Sequence, residues 1–252
     1  MDSLSERWAK LEPYVTVVGP DDDRPRPTAL LFHGCGGLRD HLPKYAAAAR
    51  DAGWRAVIVD SYRPRGWSRP FALAMVCTGV LLRGWERAGD ILAAIHGVSQ
   101  RRDVEASKLV LAGWSHGGWG IMEAMSADRS GPALGIYNPG DADLDPVKAV
   151  YLAYPYVGLL AVNRMRPWRH CPKTLAVIAR TDHLTTVRNA EQVHAMVRNC
   201  GVEVETWVAE GSHSFDEPTS APPMRHDPGL TDEAIRRFQA LLKDVAVAPP
   251  RP

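Results

Sequence analysis

Short apolar runs that alternate with helix-forming stretches are the feature that most constrains the fold of this chain. The runs have the length of buried strands and end at Gly, Pro or charged residues. They cover residues 28–32, 55–60, 108–112, 148–154, 174–179 and 203–208. The helical stretches cover about 40–52, 71–98 (bent or split by its glycines), 116–127, 186–199 and 231–244. This alternation predicts an α/β fold with a mainly parallel twisted sheet and helices on both faces.

Length and composition favour one domain. The chain has 252 residues, of which 45% are hydrophobic, and this is enough to bury one sizeable core. Neither an internal repeat nor a long linker divides it. We therefore predict a single domain over residues 1–252, without a large lid domain, and flexible ends at about 1–12 and 246–252.

Charge and hydropathy limit the classes of partner and the cellular compartment that we expect for this chain. The net charge is +1 and no block of like charge occurs, so we expect no nucleic-acid partner. The longest mostly apolar stretch, residues 71–82, is shorter than the roughly 20 residues that span a bilayer, so we expect no membrane segment. The charged first residues do not resemble a secretory signal, which favours a cytoplasmic location. The four cysteines are scattered without a CxxC pair, which indicates reduced thiols and no metal site.

A Gly-x-Ser-x-Gly turn, Gly113 to Gly117, lies between a predicted strand and a predicted helix. This arrangement lifts a serine hydroxyl out of a sheet on a strained turn, and the two glycines leave room for the tight backbone. Ser115 is therefore the predicted nucleophile. The backbone N–H of His116, at the helix N-terminus, would stabilise the negative charge that develops during acyl transfer.

A second oxyanion donor must come from another loop at the same edge of the sheet. The glycine-rich turn from His33 to Gly37 follows the first predicted strand, and we assign the donor to the backbone N–H of Cys35. Cys35 is also a rival nucleophile, but its side chain is expected to point away while its amide acts. His33 is expected to brace the turn.

A serine nucleophile needs an imidazole base and a carboxylate that orients the base. In this architecture the order along the chain is Ser, acid, His, each after a strand. Asp182 follows the strand at 174–179, and His213 follows the strand at 203–208. His183 is a less favoured base. A metal site built from Asp182, His183 and His213 has no recognisable ligand spacing.

The chain resembles the dienelactone hydrolase family of the α/β-hydrolase superfamily over nearly its whole length. The resemblance rests on the segments HGCGG, IVDSYRPRG, GWSHGG, ARTDHLT and EGSHSFDEP. It implies a compact hydrolase of small-molecule esters or lactones. Dienelactone hydrolase itself uses a cysteine nucleophile, and Ser115 at that position favours an ordinary carboxylesterase. Relatives with the same DSYRPRG-like loop are often exported, whereas this chain shows no signal.

Candidate substrate contacts come from a loop and from aromatic residues. Arg63 and Arg65, stiffened by Pro64, would bind a substrate carboxylate, or else pair with surface carboxylates such as Asp60 or Glu86. Trp114 is a candidate for an apolar acyl pocket. Tyr156 and Trp168 are further candidates, although aromatic residues such as these three more often lie in the core.

The predicted reaction is cleavage of a small-molecule ester or lactone through an acyl-enzyme, without a cofactor, in a cytoplasmic monomer or homodimer. An acyltransferase or a small peptidase would use the same three side chains. A non-catalytic ligand-binding protein of this fold is the remaining alternative, although such proteins usually lack one of them.

Overall fold

The structure is a computed structural model that describes residues 1–201 and 203–247. One seven-stranded sheet runs through it, in the order β1-β3-β2-β4-β5-β6-β7. The strands are β1 (Val15–Val18), β2 (Arg26–Phe32), β3 (Arg55–Val59), β4 (Val104–Trp114), β5 (Val147–Ala153), β6 (Lys173–Thr181) and β7 (Val204–Ser212). β1 pairs antiparallel with β3, and every other neighbouring pair is parallel. The predicted fold class is therefore confirmed.

Helices cover both faces of the sheet. They are α1 (Leu4–Leu11), α2 (His41–Asp51), α3 (Arg69–Met75), α4 (Gly84–Val98), α5 (His116–Ser126), α6 (Val187–Arg198) and α7 (Pro228–Val247). Buried residues of α1, α4, α5 and α6 pack on one face, and buried residues of α2 and α7 pack on the other. Because six strands run in the same direction, the turns that follow them gather at one edge.

The N-terminal residues differ from the prediction of a flexible end at 1–12. Leu4–Leu11 is a helix that Ser3 and Glu6 cap reciprocally. Its large apolar side chains are buried, and Trp8 packs so closely on Gly97 of α4 that a Cβ there would lie 2.2 Å from the indole. Of the other predicted flexible end, residues 248–252 lie outside the described residues.

The predicted helical stretch at 71–98 divides into α3 and α4, as its glycines indicate. The segment between these helices passes beside the turn that carries Ser115 and lines a cavity there. No helix in residues 1–201 and 203–247 is long and apolar enough to cross a membrane.

Candidate active site

Ser115 lies on a sharp turn between β4 and α5. Its backbone is in a conformation rare for a residue with a side chain, at φ 49° and ψ −108°. The glycines on either side permit this turn. A Cβ on Gly113 would lie 2.6 Å from the Gly117 carbonyl carbon, and one on Gly117 would lie 2.1 Å from the Phe32 carbonyl oxygen. The turn thus holds the hydroxyl above the end of the sheet.

The hydroxyl, an imidazole and a carboxylate form one hydrogen-bonded chain. His213 Nε2 lies 2.8 Å from Ser115 Oγ, and His213 Nδ1 lies 2.7 Å from Asp182 Oδ2. The His213 and Asp182 side chains are only 4% and 2% exposed. The structure therefore brings together three residues that lie up to 98 positions apart in the sequence.

Asp182 is held by its own turn. Its Oδ1 accepts the backbone N–H groups of Leu184 and Thr185, at 2.7 and 3.1 Å, which leaves Oδ2 for the imidazole. The neighbouring His183 is exposed, and its ring centre lies 5.7 Å from that of His213. Partial burial, together with the nearby His213, lowers the pKa of His183. His183 therefore contacts the His213 ring but takes no part in the hydrogen-bonded chain.

Two residues with candidate oxyanion donors line the same cavity as Ser115. They are Cys35, in the turn after β2, and His116, the first residue of α5. Neither N–H has a hydrogen-bond acceptor in the part of the chain that the structure describes. Both are therefore available to a negatively charged oxygen bound next to Ser115. The His116 ring donates from Nε2 to the Leu82 carbonyl at 2.7 Å, and burial lowers its pKa to about 3.

Side chains brace the turn that contains Cys35. His33 donates from Nδ1 to the Gly34 carbonyl at 2.7 Å and accepts the Ser61 backbone N–H at Nε2, 3.2 Å away. The Tyr62 hydroxyl donates to the Cys35 carbonyl at 3.0 Å. Burial lowers the pKa of His33 well below its usual range, so the ring is neutral. The prediction that His33 braces this turn is confirmed.

A disulfide joins Cys35 to Cys77, which follows α3. This corrects the prediction that all four cysteines are reduced. The two cysteines are 42 positions apart, so no sequence motif marks them as a pair. The sulfurs of Cys171 and Cys200 both lie near the Trp168 carbonyl, and neither belongs to a disulfide.

The cavity around Ser115 has two lobes. The smaller lobe, about 190 Å³, lies beside His116, and the larger lobe, about 280 Å³, lies beside His213. Ser115, Cys35, Cys77 and Leu184 line both lobes, so the two meet at the hydroxyl.

The lobes differ in their lining. The smaller one is lined mainly by apolar surface, and among the described residues no Asp, Glu, Lys or Arg lines it. Arg39, Arg69 and Glu217 line the larger one, where Arg39 pairs with Glu217.

Arg63 and Arg65 do not line either lobe. Arg65 binds both carboxylate oxygens of the fully buried Asp90, each at 2.9 Å, and Arg63 lies over the Tyr14 ring. For Arg65, the structure therefore favours the predicted alternative of an ion pair within the protein. The sequence analysis named Asp60 and Glu86 as possible ion-pair partners. It missed Asp90, which lies one helical turn beyond Glu86 on α4.

Trp114, a candidate for an apolar acyl pocket, lines the larger lobe. Its indole N–H donates to Asp216 Oδ2 at 3.0 Å. Asp216 is fully buried and also accepts the hydroxyls of Tyr45, at 2.9 Å, and Tyr154, at 2.5 Å. The Tyr154 ring in turn packs against His213, with 4.8 Å between ring centres. Sequence reasoning missed Asp216, because an Asp in a loop carries no sign of burial.

Of the other two aromatic candidates, Tyr156 lines the smaller lobe together with Trp119. Trp168 lies in the hydrophobic core instead. Within residues 1–201 and 203–247, no three His, Cys, Asp or Glu side chains are arranged to hold a metal ion.

Solved hydrolase structures are similar to this chain over most of its length. A putative dienelactone hydrolase from Klebsiella pneumoniae superposes with a TM-score of 0.66 at 14% identity, covering 90% of this chain and 91% of that one. The dienelactone hydrolase-like promiscuous phosphotriesterase P91, from metagenomic libraries, gives 0.70 at 17% identity, with 92% of each chain covered. Esterase 2 of Thermogutta terrifontis, phosphorylated by paraoxon, gives 0.68 at 16% identity, covering 94% and 90%.

No protein-family model and no curated protein sequence matches the chain. The structural likeness confirms that the fold is that of the α/β hydrolases and that it resembles the dienelactone hydrolase-like members. At these sequence identities it establishes the fold alone. The chemistry must be argued from the site.

Proposed function

We propose that this protein is a serine hydrolase that cleaves carboxylic esters or lactones of small molecules, with Ser115, His213 and Asp182 as its catalytic triad. The observation that carries the proposal is the unbroken chain of hydrogen bonds from Asp182 through His213 to Ser115. A hydroxyl, an imidazole and a carboxylate in this order are what nucleophilic acyl transfer requires.

The reaction begins with attack of Ser115 Oγ on the ester carbonyl carbon. His213 Nε2 takes the hydroxyl proton, while Asp182 orients the ring and stabilises its charged form. The carbonyl oxygen becomes negative and accepts the backbone N–H groups of Cys35 and His116. His213 then gives its proton to the leaving alcohol, and an acyl group stays on Ser115. A water molecule, activated by the same imidazole, releases the acid and restores the enzyme.

The size of the cavity and the neighbouring folds support a small-molecule substrate. Both lobes are small, at about 190 and 280 Å³, which suits a compact ester better than a polymer. Two of the similar structures are esterase 2 of Thermogutta terrifontis, one phosphorylated by paraoxon and one with propionate bound. A nucleophile that attacks an activated phosphoryl group also attacks an activated ester, so these neighbours favour the same chemistry here.

Location and assembly remain predictions. The sequence favours the cytoplasm, but the Cys35–Cys77 disulfide favours an oxidising compartment, because thiols are kept reduced in the cytosol. From the sequence, we propose that the protein is a monomer or a homodimer and that it has no nucleic-acid or membrane partner.

Hydrolysis of p-nitrophenyl butyrate by the purified protein tests the proposal. Ser115→Ala and His213→Ala are each expected to lower kcat by several orders of magnitude, with some catalysis left from the oxyanion donors and binding. Ser130→Ala, a change at an exposed serine, is the matched control and should retain full activity. Activity in Ser115→Ala close to that of the wild type would refute the assignment.

Added alcohols and amines identify the acyl acceptor in the same assay. Release of mainly the free acid supports a hydrolase. Faster turnover with an added alcohol, and a new ester as the main product, would instead identify an acyltransferase.

A further inference from the structure

We infer that the smaller lobe binds the acyl group of the substrate, that Leu160 closes this lobe, and that the enzyme is therefore selective for short acyl chains. This inference rests on the proposed ester hydrolysis at Ser115 and assigns the two halves of the ester to the two lobes.

The position of His213 decides which half of the ester enters which lobe. The imidazole must reach the oxygen of the leaving alcohol in order to protonate it. His213 lines the larger lobe and not the smaller one. With the carbonyl oxygen between the N–H groups of Cys35 and His116, the alcohol extends into the larger lobe. The acyl chain then has only the smaller lobe to enter.

The smaller lobe suits a short, uncharged chain. Its walls are formed by Val76, Trp119, Tyr156 and Leu160, and the Trp119 and Tyr156 rings pack together with 5.0 Å between their centres. At about 190 Å³, this lobe is the smaller of the two. We therefore expect acetyl to hexanoyl chains to fit it and decanoyl chains to exceed it.

Leu160 closes the lobe by contact with the opposite segment. A Cβ on Gly79 would lie 2.5 Å from Leu160 Cδ1, so the leucine packs directly on the Gly79 backbone. Leu160 is still 41% exposed, which places it between the lobe and solvent. Its neighbour Leu159 is 92% exposed and lines neither lobe. Shortening Leu160 should therefore open the far end of the lobe, whereas shortening Leu159 should not.

Two series of esters test the inference. The first keeps p-nitrophenol as the alcohol and varies the acyl group from acetyl to decanoyl. The second keeps the butyryl group and varies the alcohol from methyl to naphthyl. The value of kcat/KM is measured for the wild type, Leu160→Ala, Leu160→Trp and the control Leu159→Ala.

For the wild type we expect kcat/KM to be highest between acetyl and hexanoyl and to fall at least tenfold by decanoyl. Leu160→Ala should raise the ratio of octanoyl to butyryl ester hydrolysis about tenfold or more, a typical effect of changing the space for a few methylene groups. Leu160→Trp should lower the ratio of butyryl to acetyl ester hydrolysis. Leu159→Ala should leave the acyl profile unchanged, and all variants should keep the alcohol profile of the wild type.

The inference is overturned if both Leu160 variants keep the wild-type acyl profile, if Leu159→Ala changes it as much, or if the Leu160 variants alter the alcohol profile instead. Each of these results leaves ester hydrolysis at Ser115 intact. Failure of the wild type to hydrolyse any ester of either series, or full activity in Ser115→Ala, would refute the proposed function itself.

Discussion

Loss of the Cys35–Cys77 disulfide should lower both stability and activity. The bridge closes a loop of 42 residues, and the chain-entropy relation gives about 4 kcal/mol of stabilisation at 25 °C for such a loop. For a chain of this size, that corresponds to a fall in Tm of about 8–16 °C. Cys77→Ser removes the bridge without changing the residue whose backbone N–H is a proposed oxyanion donor.

Activity should also fall in Cys77→Ser, because Cys77 lines both lobes and tethers the turn that holds the Cys35 N–H. Complete loss of one oxyanion donor costs about 10²- to 10³-fold in kcat, which sets the upper limit.

Thermal unfolding and ester hydrolysis, with and without reductant, measure both effects. The wild type with reductant should behave like Cys77→Ser, and Cys200→Ser, which alters a thiol outside the bridge, should behave like the untreated wild type. Four free thiols in the denatured wild-type protein purified without reductant, with a Tm insensitive to reductant, would refute the reasoning.

Three further outcomes are expected. Asp182→Asn should lower kcat by about 10⁴-fold, because the amide favours the wrong tautomer of the His213 imidazole. A steady-state kcat within tenfold of the wild type would contradict this. Burial lowers the pKa of His116 to about 3 and that of His194 to about 4, so between pH 6.5 and 5 the unfolded chain binds protons that the folded protein does not. The free energy of unfolding should therefore fall as pH drops through this range, by up to about 1.4 kcal/mol per pH unit for each of these histidines. Urea unfolding at both pH values measures this change. In His194→Leu the free energy of unfolding should depend less on pH than in the wild type, and an equal dependence would contradict the reasoning. Gly117→Ala should lower both kcat and Tm, because its Cβ would lie 2.1 Å from the Phe32 carbonyl oxygen. Wild-type values of Tm and kcat would show that the turn can relax, against this prediction.

The sequence predicted the sheet and the arrangement of the candidate triad because both depend on local patterns. Ser115, Asp182 and His213 each follow a strand of the parallel sheet, so their positions along the chain already place them at one edge. The strand ends were less accurate. β4 begins at Val104, ahead of the predicted 108–112. The prediction missed this start because Glu105 and Ser107 interrupt the apolar run and residues 105–108 are exposed or half-buried.

Features that depend on distant partners could not be predicted. Helix α1 lies in a charged segment, and it is stabilised by the flat surface that Gly97 leaves on α4. The partner of Arg65 is the buried Asp90 on α4, and the partner of Cys35 lies after α3. In each case, only the packing of two separate elements reveals the contact.

Covalent labelling with a fluorophosphonate probe, followed by peptide mass mapping, tests the central claim most directly. A reactive serine hydroxyl beside a base should take up one phosphonyl group, on the peptide that contains Ser115. His213→Ala should label far more slowly, and Ser115→Ala should stay unlabelled. A phosphonyl group on a different residue, or equal labelling of Ser115→Ala, would contradict the assignment of Ser115 as the nucleophile.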